Sequence, residues 1–229
     1  MPTGREIMER AGRLLSDEKH VRWTLPELCD WINEGVRAII LAKPSAKTES
    51  RPIQLQQGTL QRVPIAPAPT PLALVGVVCN LASAEPRMAG RAIRATSRAL
   101  LDSQQPNWHD ERFVPFAREV RQFTFDELNP LEFYVYPGNT GEGVVEAVLS
   151  IMPPPLAASG DPGNVSSYSG SIGLPEPYSG PVLDYALYRA QQKDDTTGNA
   201  GRAAAHFTQF ATAIGLKIQT EGAHSPNRR

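Results

Sequence analysis

The apolar period of this chain changes twice. Residues 1–48 place apolar side chains at helical spacing, 49–152 shift towards the alternation of strands, and 175–220 return to the helical period. Helices as short as those at either end need tertiary partners. The reading that satisfies both ends is an α+β fold: a four-helix bundle built from the N- and C-terminal segments, with an antiparallel β-sandwich or open barrel inserted between them. The expected parts are 1–48 (first half of the bundle), 49–152 (the β insertion), 153–174 (a crossover), 175–220 (the second half) and 221–229 (a tail).

The C-terminal pair is the platform. Ser179-Gly180-Pro181 opens one helix, whose stripe is Leu183, Ala186, Leu187 and Ala190. Lys193-Asp194-Asp195-Thr196-Thr197-Gly198 interrupts it, and Ala203, Phe207, Phe210, Ile214 and Ile218 mark a second stripe, so an αα-hairpin is expected. At the other end Gly4 to Leu15 is amphipathic. Thr24-Leu25-Pro26-Glu27 is a capping box flanked by Trp23 and Leu28, and it opens a helix that Pro44 closes. The bundle core is expected to include Trp31, Ile32, Leu183, Leu187, Phe207, Phe210 and Ile214.

Within the insertion, Ile53 to Gln56 and Gln61 to Ile65 flank Gly58 as a β-hairpin. Leu72 to Leu81 reads as a strand buried on both faces, and Arg91 to Thr96 as a weaker strand before a short helix at Ser97 to Asp102. Val120 to Phe125, Leu131 to Tyr136 and Val144 to Ile151 are spaced as an antiparallel meander, making about six strands in all. Met152 to Glu176 is rich in Pro, Gly and Ser, and composition fits both an ordered crossover and a flexible arm.

Composition narrows function. The formal charge of -1 argues against a general nucleic-acid binder held by a large basic face. Cys29 and Cys79 sit among apolar neighbours, as buried free thiols do in a reducing setting. The N-terminus lacks a signal-peptide core and no apolar run approaches a membrane span. His20, His109, His206 and His224 have no ligand spacing, so no metal is expected. Trp108-His109-Asp110-Glu111 is a solvated loop with an anchoring Trp, and Gly138 to Gly143 is a strand turn rather than a phosphate loop. Phe123, Phe125, Phe133, Tyr134 and Tyr136 read as sandwich core. No catalytic residue is identified.

Three patches, in this order, resemble the head-to-tail adaptors of short-tailed bacteriophages, the tail tubular protein A family. They are Trp23-Thr24 with Glu27-Leu28 and Trp31-Ile32-Asn33-Glu34-Gly35, then Phe133-Tyr134-Val135-Tyr136-Pro137, then Pro181 to Ala190 followed by Asp194 and Asn199 to Phe210. The resemblance implies a structural protein of the virion neck or tail, assembled in the host cytoplasm, with neither enzyme activity nor cofactor. It implies a dodecameric ring between the portal protein and the tail nozzle protein, with DNA passing through the lumen and no sequence-specific grip on it. The tail, Gly222, Ala223, His224, Ser225, Pro226, Asn227, Arg228 and Arg229, is then the expected portal contact. Two other readings stay open. One is a sandwich that binds a host glycan or receptor through Trp108 or Tyr168, and the other is an enzyme centred on His109 and Asp110.

Overall fold

The computed structural model describes residues 1–126, 128–193 and 199–222, with side chains in the last helix described as far as Gly215. In chain order the elements are α1 (Gly4–Leu15), α2 (Leu25–Ala42), β1 (Thr48–Gln54), β2 (Gln57–Arg62), β3 (Pro71–Ser83), β4 (Met88–Ala92), β5 (Arg94–Ala95) and α3 (Arg98–Gln104). Then follow β6 (Gln122–Phe125), β7 (Glu132–Thr140), β8 (Val144–Ile151), α4 (Ser179–Gln192) and α5 (Ala200–Gly222). The protein is therefore α+β. Two compact units divide the chain: Met1–Lys47 joins Pro153–Glu221, and Thr48–Met152 forms the other.

The helical unit begins with two capping boxes. Thr3 N–H donates to Glu6 Oε2 (2.9 Å) and Glu6 N–H returns to Thr3 Oγ1 (3.2 Å), while Thr24 gives its N–H (3.0 Å) and hydroxyl (2.9 Å) to Glu27 Oε2. The other Glu27 oxygen accepts Lys193 Nζ at 2.8 Å, tying the start of α2 to the end of α4. Between α1 and α2 the Asp17 carboxylate collects the N–H groups of Val21, Arg22 and Trp23 at 2.9–3.0 Å. Burial pulls this carboxyl's pKa up, but the three donors outweigh it and hold it below the ordinary value.

α1, α2 and α4 pack on one another. Gly35 makes the α2–α4 contact close, because a β-carbon there would stand 3.2 Å from Tyr185. Ile7, Met8, Leu28, Ile32, Ile39, Val182 and Leu187 are buried between these helices, each such aliphatic contributing about 1.5–3 kcal/mol relative to exposure. α5 reaches α4 through rings: Tyr188 meets Phe207 and Tyr185 meets Phe210, each with centroids 5.0 Å apart. The falling and rising numbers make the two helices antiparallel. These contacts stop short of the expected four-helix bundle. Ala203, Phe210 and Ile214 form a narrow buried stripe, whereas Phe207 is 45% exposed and is not a core residue. Its neighbours are the rim of α4 and solvent.

Residues 153–178 are ordered. Asn33 on α2 pairs both backbone groups of Leu156, accepting its N–H at 2.8 Å and donating to its carbonyl at 2.9 Å. Gly4 N–H donates to Gly170 O, Ile172 N–H donates to Pro2 O, and Tyr168, Ile172 and Leu174 are buried. A segment whose only regular structure is two short 3₁₀ turns, Val165–Tyr168 and Glu176–Tyr178, thus satisfies much of its backbone on the helices' side chains and ends.

The β unit holds two four-stranded sheets, ordered β1-β8-β3-β4 and β2-β7-β6-β5. Their inner faces share one core. Ile53, Leu74, Val77, Val145, Ala147, Leu149 and Ile151 come from the first sheet, and Phe123, Phe133 and Val135 from the second. Three expectations are corrected. β1 and β2 are not a hairpin, since β1 pairs with β8 and β2 with β7. β7 and β8 lie in different sheets, so no three-strand meander forms. β3 is buried on one face only, with Val75 37% and Val78 46% exposed, because a sandwich leaves its outer faces to solvent.

Buried amides make the sheet changes possible. Asn139, fully buried, donates to the carbonyls of Ala117 (3.1 Å) and Arg118 (2.8 Å) and accepts the N–H groups of Gly141 (2.8 Å) and Gly143 (3.0 Å). A β-carbon on Gly143 would run into Asn139 and the Arg118 carbonyl, so only glycine fits. Gln61 does the same at the β1–β2 corner, donating to Gln56 O and Gly58 O and accepting Gln56 N–H at 2.7 Å. Each side chain replaces ladder bonds that the turning backbone gives up.

Candidate functional site

The His-carboxylate loop follows α3, whose Ser97 cap accepts Leu100 N–H. Trp108 is fully buried and donates its indole N–H to Asp102 Oδ1 at 2.8 Å. His109 lies against it, ring centroids 3.7 Å apart, with Nδ1 2.7 Å from Thr59 Oγ1. Burial, assisted by the Arg98 charge and opposed by Asp102, lowers the His109 pKa below its ordinary value. Asp110 instead chelates Arg112, whose guanidinium holds the carboxyl at about 2. His109 and Asp110 thus serve different partners and do not converge on a reacting atom.

The glycan reading loses both its aromatics. Trp108 is in the core, and Tyr168 is buried with its hydroxyl donating to Pro162 O at 3.1 Å, so neither offers a stacking face. A depression of about 160 Å³ lined by Asn80, Arg118, Glu119 and Gly143 falls below the size of small-molecule sites. Among the described residues no group of three His, Cys, Asp or Glu is placed to hold a metal, and no helix is long and apolar enough to cross a membrane.

Of the bundle residues singled out in the sequence, Ile32, Leu183, Leu187, Phe210 and Ile214 are buried, Trp31 is half-buried and Phe207 is exposed. In the proposed portal contact, Gly222 is the last residue of α5, and Ala223, His224, Ser225, Pro226, Asn227, Arg228 and Arg229 lie outside the described residues. So do Asp194, Asp195, Thr196, Thr197 and Gly198.

What the surface does offer is two faces of opposite character. From Ala203 to Gly215, α5 carries no Asp, Glu, Lys or Arg, yet Ala204, Ala205, Phe207, Thr208, Ala211 and Thr212 are exposed. Across the β unit, Arg91, Arg94, Arg118 and Arg121 are exposed around one buried amide. Asn80 Nδ2 donates to Arg91 O (3.0 Å) and Val120 O (2.8 Å), and Arg94 N–H donates to Arg121 O (3.0 Å). Sequence reasoning passed over these arginines. Their signal was the repeated Arg-x-x-Arg spacing, Arg91-Ala92-Ile93-Arg94 and Arg118-Glu119-Val120-Arg121.

A family model for the SU10 adaptor protein matches residues 2–229. Comparison with curated proteins gives no match.

Proposed function

The chain belongs to the SU10 adaptor family, and we propose that it is the head-to-tail adaptor of a short-tailed phage, forming a dodecameric ring between portal and tail nozzle. Membership makes it a phage structural adaptor and a virion component that meets other virion proteins. The family match over nearly the whole chain is the observation that carries the reading. DNA passes through the lumen of the ring, and no catalysis is required of the chain.

The surfaces support a ring. A cyclic assembly joins two different patches of one subunit repeatedly, and a uniformly polar surface offers none. The charge-free exposed face of α5 is a contact patch of the right kind, large for a helix side that would otherwise meet only water. Gly222 to Arg229 begins at the last residue of α5, and Arg228 and Arg229 suit acidic groups on portal. Mixing the purified chain with portal complexes and imaging them by electron microscopy tests the proposal. A ring seated on portal supports it, and portal that stays bare refutes it.

A further inference from the structure

The segment Thr48–Met152 contains nine arginines, eleven acidic residues and no lysine. Its charges are not evenly matched in space. Arg51, Arg62, Arg87, Arg98 and Arg112 each face a carboxylate. Among the described residues Arg91, Arg94, Arg118 and Arg121 have none, although Glu119 lies between the last two in sequence. Arg91 and Arg94 sit on β4 and β5, the edge strands of the two sheets, so they run along one lateral edge of the sandwich. Arg121 joins them through the Arg94 N–H bond, and Arg118 is fixed one turn back by Asn139.

We propose that this edge is a binding surface for the phosphodiester backbone of duplex DNA. Guanidinium groups with unspent donors match phosphate in geometry and charge. An acidic protein partner fits less well. Protein interfaces centre on large aromatic or aliphatic anchors, and residues 89–96 and 117–121 present only Ala, Gly, Arg and Glu to solvent, with Ile93, Thr96 and Val120 buried. Backbone-only contacts carry no sequence information, and few charges on a near-neutral chain make a grip that salt releases. DNA can then be guided without being arrested. The inference rests on the adaptor reading for the presence of DNA, but the surface itself is tested without any assembly.

The experiment measures binding of a short DNA duplex to the full chain by fluorescence anisotropy across a salt series, beginning at low salt. One variant replaces Arg91, Arg94, Arg118 and Arg121 with Gln. A charge-matched control replaces Arg10, Arg13, Arg37 and Arg202 with Gln, and a third chain carries Lys at the four patch positions. The expected result is a tenfold or greater loss of affinity for the patch variant, with the slope of log K against log salt shallower by about 3 to 4, since each phosphate neutralised contributes about 0.9. The control stays within about twofold of the parent, and the Lys chain keeps the parent slope and shows that the fold tolerates four changes at these positions. Equal affinity and slope for patch variant and control overturn the proposal, as does a parent chain that fails to bind at low salt. If the patch variant keeps DNA binding but no longer binds an acidic virion protein, the edge is a protein contact and the proposal falls. Failure here with ring formation on portal intact refutes the DNA surface alone, whereas absence of any ring refutes the adaptor reading.

Discussion

The indole N–H of Trp23 donates to the carbonyl of Ala190 at 2.9 Å, joining the residue before the α2 cap to the last turn of α4. The bond is buried, and it gives a second, shorter donor to a carbonyl in the last turn of α4 that also accepts the Lys193 N–H at 3.4 Å. Trp23→Phe keeps most of the apolar body and removes only the donor. Ala190 O keeps the Lys193 N–H, so the change should cost about 0.5–1.5 kcal/mol, the net worth of one hydrogen bond, read as a shift of the denaturation midpoint.

Asn139→Ala removes four hydrogen bonds at the β7–β8 corner at once. With each buried unpaired group costing about 1–3 kcal/mol, a loss of about 3 kcal/mol or more is expected. Urea unfolding followed by near-UV signal measures it. A cost below that of Trp23→Phe would mean that water replaces the amide and that the corner is not held as described.

Phe210 and Phe207 separate the buried from the open side of α5. Phe210→Ala should cost about 3–5 kcal/mol, as a large-to-small change in a packed site does. Phe207→Ala should cost clearly less, because nearly half of its surface is already exposed. Equal costs in chemical denaturation would place Phe207 inside after all.

Asp17 sets an acid limb. Its folded pKa lies below the unfolded value of about 3.9, so its bonds contribute fully above that value and are lost as pH falls through the lower folded value. Asp17→Asn should therefore reduce stability at neutral pH and flatten the decline on the acid side. Parallel pH profiles for the two proteins would contradict this.

Local signals were legible in the sequence and distant ones were not. Thr24 and Glu27 declare a helix start by spacing alone, and Thr3 and Glu6 obey the same rule one helix earlier. The two strand links misled because short turns between alternating runs look the same whether the next strand pairs with its neighbour or leaves for the other sheet. The residues that decide this, Gln61 and Asn139, are polar and sit where a sequence reading expects exposed turn residues. Their burial follows from backbone groups that only the folded chain brings to them. Phe207 was misplaced because helical periodicity marks a broad apolar side, while α4 covers only a narrow strip of it. The arginine edge needed both the strand order and the positions of the carboxylates.

The adaptor account turns on where the chain assembles. Native mass measurement of the purified chain alone and with portal, paired with electron microscopy of the mixture, tests it most directly. The account predicts a largely monomeric chain in isolation and a closed ring on portal. It also predicts that deleting Gly222 to Arg229 leaves the unfolding midpoint nearly unchanged while weakening the portal complex as salt rises. A chain that stays monomeric and leaves portal bare at every salt concentration would contradict it.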